Sequence, residues 1–96
     1  MWNELKRIDF EFYQVKAGQT LREIAVYFNV SEFALARLNG LTDEPQFGQV
    51  LEIPKERGNA YVARAEDTKS RLCGSDEAYE RKNGTSVLYP SMRVIL

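Results

Sequence analysis

An α+β fold made of two tandem strand–helix–helix–strand units follows from three features of the 96-residue chain. A T-x-x-E box stands directly ahead of an apolar stripe of helical spacing. A short apolar strand closes on a proline. The same order of marker residues, without the glutamate of the box or the closing proline, comes round again in the second half. Each unit would lay two helices on a two-stranded antiparallel sheet, about the smallest layered arrangement that buries a helix stripe. Units of this size are marginal alone, so the two are expected to pack together.

The elements can be justified in order. In "IDFEFYQV", Ile8, Phe10 and Phe12 alternate with Asp9 and Glu11, the period-two pattern of a strand with one buried face. The alternation shifts and resumes as Tyr13, Val15, which predicts a bulge or break near Tyr13. "KAGQ" is a turn. Thr20 and Glu23 form a capping box, so a helix is expected to begin at Leu21. Leu21, Ile24, Ala25 and Phe28 make its apolar stripe, and Asn29 is suited to a left-handed end. Ser31 caps a second helix, Glu32 complements its dipole, Leu35 and Leu38 supply its buried face, and Asn39-Gly40 stops it. Val50, Leu51 and Ile53 form the closing strand, ended by Pro54, which has no ladder donor.

The second half repeats this order. The offset is 48 residues from Tyr13 to Tyr61 and from Thr20 to Thr68, and 44 from Asn39-Gly40 to Asn83-Gly84. Four residues are therefore missing, most simply the "VYFN" turn between the helices. Ala65, Leu72, Ser75 and Tyr79 correspond to Ala17, Ile24, Ser31 and Leu35, and "MRVIL" replaces "QVLEI". Such internal repetition is the strongest organisational signal in the chain. The expected boundaries are an N-terminal extension, partly strand, at 1–12, a first unit at 13–54, a linker at 55–60 and a second unit at 61–96. Trp2, Phe10 and Phe12 are expected to cover the seam.

Composition excludes several function classes. With 44% hydrophobic and 28% charged residues the chain is of ordinary globular type. Thirteen basic against fourteen acidic residues provide no cationic field for nucleic acid. No stretch reaches the roughly 20 apolar residues of a membrane span, and charges interrupt the N-terminal segment too often for a signal peptide. Neither a nucleic-acid nor a membrane partner is expected. The localisation stays open on these grounds, between the cytoplasm and export by another route.

The residues from Tyr13 to Pro54 resemble the lysin motif (LysM) family along nearly its whole length. The match is carried by Tyr13, Val15, Gly18, Thr20-Leu21, Ile24-Ala25, Val30-Ser31, Leu35, Asn39-Gly40-Leu41, Gly48, Leu51 and Ile53-Pro54, with Gln19 standing where aspartate is usual. Residues 61–96 resemble a degenerate second copy that keeps Tyr61, Asp67-Thr68, Leu72, Asn83-Gly84 and Tyr89-Pro90. This copy lacks the glycine before Asp67 and has Ser91 where glycine is typical. The resemblance implies a βααβ fold that binds glycans containing N-acetylglucosamine, peptidoglycan or chitin, without hydrolysing them. The sugar would lie between the loop joining strand 1 to helix 1 and the loop joining helix 2 to strand 2. Carried over by position, the candidate binding residues are Gly18, Gln19, Thr20, Leu21, Leu41, Thr42, Asp43, Pro45, Gln46 and Phe47. In the second copy they are Asp67, Thr68, Thr85 and Tyr89.

The chemistry of those positions suits the ligand. A neutral, hydroxyl-rich glycan needs amide and hydroxyl groups and a small apolar patch, but no titrating group. Gln19, Thr20, Thr42 and Gln46 supply the first, and Leu21, Pro45 and Phe47 the second. The same residues also have purely structural roles open to them: Thr20 as a cap, Gly18 as a turn, Phe47 as a lid on the core. Without histidine, and with Cys73 the single cysteine, the chain has no conventional nucleophile–base pair and no zinc cluster, so neither catalysis nor a cofactor is expected. The paired acids Asp43-Glu44, Glu66-Asp67 and Asp76-Glu77 are sequence neighbours that do not face one another across a glycosidic bond. Asp76-Glu77 fits the first turn of a helix, and Cys73, at the place of Ala25, fits a buried apolar site.

Two other functions remain open on sequence. "REIAVYFNVSEFALARLN" also has helix-turn-helix spacing, but its second helix offers one positive charge, and strands flank the pair where a third helix would stand. A protein-docking or assembly module, using "SVLYPSM" as a surface, would need no glycan at all.

Overall fold

The computed structural model describes residues 11–96. The expectations placed on Ile8 and Phe10, and on Trp2 at the seam, lie outside the described residues. The first unit runs β1 (Glu11–Gln14), α1 (Leu21–Phe28), α2 (Glu32–Leu38) and β2 (Val50–Ile53). The second runs β3 (Ala60–Val62), α3 (Lys69–Cys73), α4 (Asp76–Asn83) and β4 (Arg93–Ile95). β1 pairs antiparallel with β2, Tyr13 opposite Leu51, and β3 with β4, Tyr61 opposite Val94. The described residues thus form four helices and two separate two-stranded sheets, the predicted α+β architecture.

Local chemistry sets the helix ends. The Thr20–Glu23 capping box is complete: the Thr20 hydroxyl accepts from Glu23 N at 3.1 Å, and the Glu23 carboxylate from Thr20 N at 2.9 Å. Asn29 closes α1 in the left-handed region at φ 59°. Ser31 caps α2, Thr68 caps α3 and Ser75 caps α4, each hydroxyl accepting from the backbone three residues on. The four residues missing from the second unit come from this corner. α1 has eight residues where α3 has five, and Gly74 leads directly into Ser75 with no counterpart of Val30.

Each unit has its own core. Val15, Ile24, Ala25, Phe28, Val30, Leu35, Leu51 and Ile53 fill the first. Ala63, Tyr79, Met92 and Val94 fill the smaller second, with Leu72 and the half-buried Cys73 packed against it. Burial pushes the Cys73 thiol up from its ordinary value, as expected of a packing residue rather than a nucleophile.

Three sequence expectations change. Phe12 is 64% exposed and covers no seam. In an antiparallel pair, directly opposed residues share a face. Tyr13 opposes buried Leu51 and faces the helices, so Phe12, opposite Glu52, must face outward. The bulge predicted near Tyr13 lies on the other strand. Gly48 N donates to Val15 O and Val15 N to Gln49 O, both at 2.8 Å, so two residues oppose one, with Gly48 at φ 86°. Leu38 is also 47% exposed, leaving Leu35 as the buried anchor of α2.

The units meet where α4 ends against the start of α2. A helix leaves its last carbonyls without intrahelical donors, and here the first unit supplies them. The buried Ser31 hydroxyl donates to Asn83 O at 2.6 Å while still capping α2, and Arg37 Nη1 donates to Gly84 O at 3.2 Å. In return Arg93 Nη1 donates to Val30 O at 2.9 Å. The intervening segment, expected as a linker at 55–60, is itself fastened. Gly58 N donates to Asn29 O, Glu56 pairs with Arg81, and Arg57 pairs with Glu11 and lies over the Phe28 ring.

Candidate functional site

Two loops of the first unit converge at the start of α1. The β1–α1 turn is held from inside by Gln19, whose Oε1 accepts from the Tyr13 hydroxyl at 2.8 Å and from Lys16 N at 3.1 Å. The α2–β2 loop ends in a turn in which Gln49 N donates to Gln46 O and Gly48 is the third residue, the pattern of a type II turn. This turn lifts Phe47 to its corner, 76% exposed, so Phe47 is not a lid on the core. Glu44 joins the loops: its Oε1 accepts from Leu21 N at 2.7 Å, satisfying a free donor at the helix start.

Between the loops lie two adjoining depressions. One, of about 310 Å³, is floored by Leu21 and Ala36 and walled by Leu41 to Glu44. The other, of about 390 Å³, runs on along Gly40 to Glu44 to Gln46, Phe47 and Gln49. Of the residues predicted from sequence, Leu21, Leu41, Thr42, Asp43, Gln46 and Phe47 line this surface. Gly18, Gln19 and Thr20 line neither depression; they build the turn. Pro45 is buried and offers no apolar surface to a ligand, because it packs inward beneath the loop that displays its neighbours.

Sequence reasoning missed Ala36, Gly40, Gln49 and, above all, Glu44. Glu44 was legible only as half of an acid pair. Its partner lies 23 residues away, so no local pattern signals the bond.

The second unit reproduces the framework but not the cleft. Asp67 Oδ2 accepts from the Tyr61 hydroxyl and from Arg64 N, both at 2.8 Å, just as Gln19 does in the first unit. Those bonds, the Arg64 N–H first, hold the Asp67 carboxyl below its ordinary value, and the same contact raises the Tyr61 hydroxyl. Thr68 caps α3, and the Thr85 hydroxyl accepts from Val87 N, so both are structural. Where the first unit has Leu21 the second has Lys69, whose Nζ donates to Ser86 O at 3.1 Å and to Glu80 Oε2 at 3.0 Å. That ammonium spans the space between the two loops. Tyr89 turns away from this space and lines a third depression, at the seam with the first unit.

The run "SVLYPSM" does not present a single apolar surface. Val87 and Tyr89 are exposed, but Leu88 packs against the second core and Met92 is buried. Among the described residues no group of His, Cys, Asp and Glu has metal-binding geometry, and no helix is long and apolar enough to cross a membrane.

Comparison with known proteins bears on the first unit. The LysM domain family matches residues 13–54. Among solved structures, the chain is similar to the spore cortex-lytic enzyme SleL of Bacillus megaterium QM B1551, with 30% identity, a TM-score of 0.46, and coverage of 92% of this chain and 22% of that one. It is also similar to the spore cortex-lytic enzyme SleL of Bacillus cereus, with 18% identity, a TM-score of 0.45, and coverage of 91% and 22%. The chain thus corresponds to 22% of the length of each of those enzymes. No curated protein matches it. Residues 13–54 thus match the LysM domain family, and LysM domains are binding modules rather than enzymes.

Proposed function

We propose that the first unit binds a glycan containing N-acetylglucosamine, such as peptidoglycan, through the trough between its two loops, and that the second unit chiefly buttresses it as a degenerate LysM copy. The observation that carries this is the convergence of Leu21 with Leu41 to Glu44 and the exposed Phe47 in a domain of the LysM family. Sugar rings have apolar faces and hydroxyl rims. Leu21, Ala36 and Phe47 suit the faces, and Thr42, Asp43, Gln46 and Gln49 suit the rims and the acetamide.

A shallow site of this kind should bind with a dissociation constant of roughly 1 mM to 1 μM. Retention on a polymer would then gain from several copies acting together, by roughly 10² to 10⁴ in avidity. Sedimentation with insoluble peptidoglycan, chitin and cellulose tests the reading. Retention on the first, alone or with chitin, but not on cellulose, and weakened by Phe47→Ala, is the expected result. Equal retention on all three, or on none, would overturn it.

A docking role has one observation in its favour: an open groove of about 400 Å³ on the seam, lined by Ala34, Leu38, Ile53 and Pro54 from the first unit and by Arg81 and Gly84 from the second. It becomes the better account if glycan retention fails while Leu38→Glu abolishes association with a defined protein.

A further inference from the structure

We infer that the glycan trough continues across the seam onto the second unit, so that the ligand is an extended chain whose far end stacks on Tyr89. This inference rests on the proposed glycan site. Leu21 and Ala36 floor the depression between the first unit's loops, and the same two residues also line a further depression of about 340 Å³. This further depression is lined by Phe33 and the Arg22–Glu32 ion pair of the first unit and by Tyr89, Ser91 and Arg93 from β4 and the turn before it. Three adjoining depressions therefore make one trough from Phe47, past Leu21 and Ala36, to Tyr89.

The trough has the character of a polysaccharide track rather than a pocket for a compact ligand. Exposed aromatic side chains recur along it: Phe47 at one end, Phe33, 42% exposed, on the seam side, and Tyr89, 48% exposed, at the other end. Polar groups lie between them. Repeated ring faces separated by hydroxyl rims match such a surface, each aromatic ring taking one apolar face. The fold explains why Tyr89 is there. The second unit's own cleft is spanned by Lys69, while its last turn faces the first unit because Arg93 is anchored on Val30 O. The Tyr89 position thus serves the neighbour's trough.

The test is calorimetric titration of the whole chain with the disaccharide and the hexasaccharide of β-1,4-linked N-acetylglucosamine. The hexasaccharide should bind roughly tenfold more tightly. Tyr89→Ala should remove most of that gain, Tyr89→Phe should keep it, and neither should change disaccharide binding. The turn survives these changes, because Met92 N bonds to the Tyr89 main-chain oxygen. A length gain that persists in Tyr89→Ala reflects only the many registers open to a long chain and overturns the inference, as does the absence of any gain. In both cases disaccharide binding that depends on Phe47 leaves the first-unit site standing. Binding of neither sugar would overturn the site and the extension together.

Discussion

The two halves of this molecule share one hydrogen-bonded frame and differ in what the frame encloses. Asn39 Nδ2 donates to Leu35 O and Glu52 O while its Oδ1 accepts from Glu52 N; Asn83 makes the same three bonds to Tyr79 O, Ile95 O and Ile95 N. The bulge Val15–Gly48–Gln49 recurs as Ala63–Ser91–Met92. Against this sameness, Leu21 leaves a cleft open where Lys69 spans the corresponding space, and Gly40 meets open solvent where Gly84 lies against Ala34. Backbone-satisfying side chains hold the fold, and the positions between them are free to leave one unit with an open cleft and the other with a bridged one.

Five experiments would break or sharpen that contrast, beginning with the largest expected effect. A methyl group at Gly84 would lie 2.5 Å from Ala34 Cα and 2.6 Å from Ala34 N, backbone atoms that cannot step aside, whereas Gly40 has nothing within 4 Å. Both have positive φ, 68° and 64°. Gly84→Ala should therefore cost about 3 kcal/mol or more, from strain plus overpacking at the seam, while Gly40→Ala costs only about 1 kcal/mol. Equal losses in chemical denaturation would show that the units do not press together there.

The two asparagines come next. Asn83 is fully buried and Asn39 only partly, so Asn83→Ala leaves its partners dry and should cost about 2–4 kcal/mol, against about 1–2 kcal/mol for Asn39→Ala, read from denaturant midpoints. Transplanting the cleft residue, Leu21→Lys, should weaken glycan binding by about tenfold, near 1.4 kcal/mol; undiminished binding at unchanged melting temperature would remove Leu21 from the site. Ser91 holds φ 71° without being glycine, so Ser91→Gly should stabilise the protein by about 1 kcal/mol and Gly48→Ser should do the reverse.

The last contrast is confined to high pH. Tyr79 occupies the place of Leu35, and burial pushes its hydroxyl, which donates to Val87 O at 2.7 Å, up to about 12 from the ordinary 10.0. The folded chain keeps this proton where the unfolded chain gives it up. The resulting stabilisation is intact below pH 10 and lost as pH rises from 10 towards about 12. Tyr79→Phe should flatten that part of the pH–stability profile, a contribution that Leu35, which has no titrating group, does not make in the first unit.

Much of the frame was legible without coordinates. The capping box at Thr20, the left-handed end at Asn29, the cap at Ser31, the stop at Asn39-Gly40 and the repeat to Tyr61, Thr68 and Asn83 rest on bonds between residues a few positions apart. Such bonds leave a pattern in the chain. About half of the candidate site was legible too, because its loops are fixed by the repeat. Pro45 was misjudged because residue type does not say which way a loop packs, and Phe12 because a two-stranded sheet takes its inward face from the opposite strand.

What the amino-acid sequence determined by itself was therefore the element order, the helix ends and the family of the first unit, since each depends on short-range geometry and on residues with few conformational options. Tertiary structure alone decided the reach of Glu44 to Leu21, the crossing of Lys69 to Ser86, the mating of Gly84 with Ala34 and the placing of Tyr89 beside the first unit's helices. These contacts join residues separated by 17 to 68 positions, some of them across two independent cores, and only the packing of those cores brings the partners within reach.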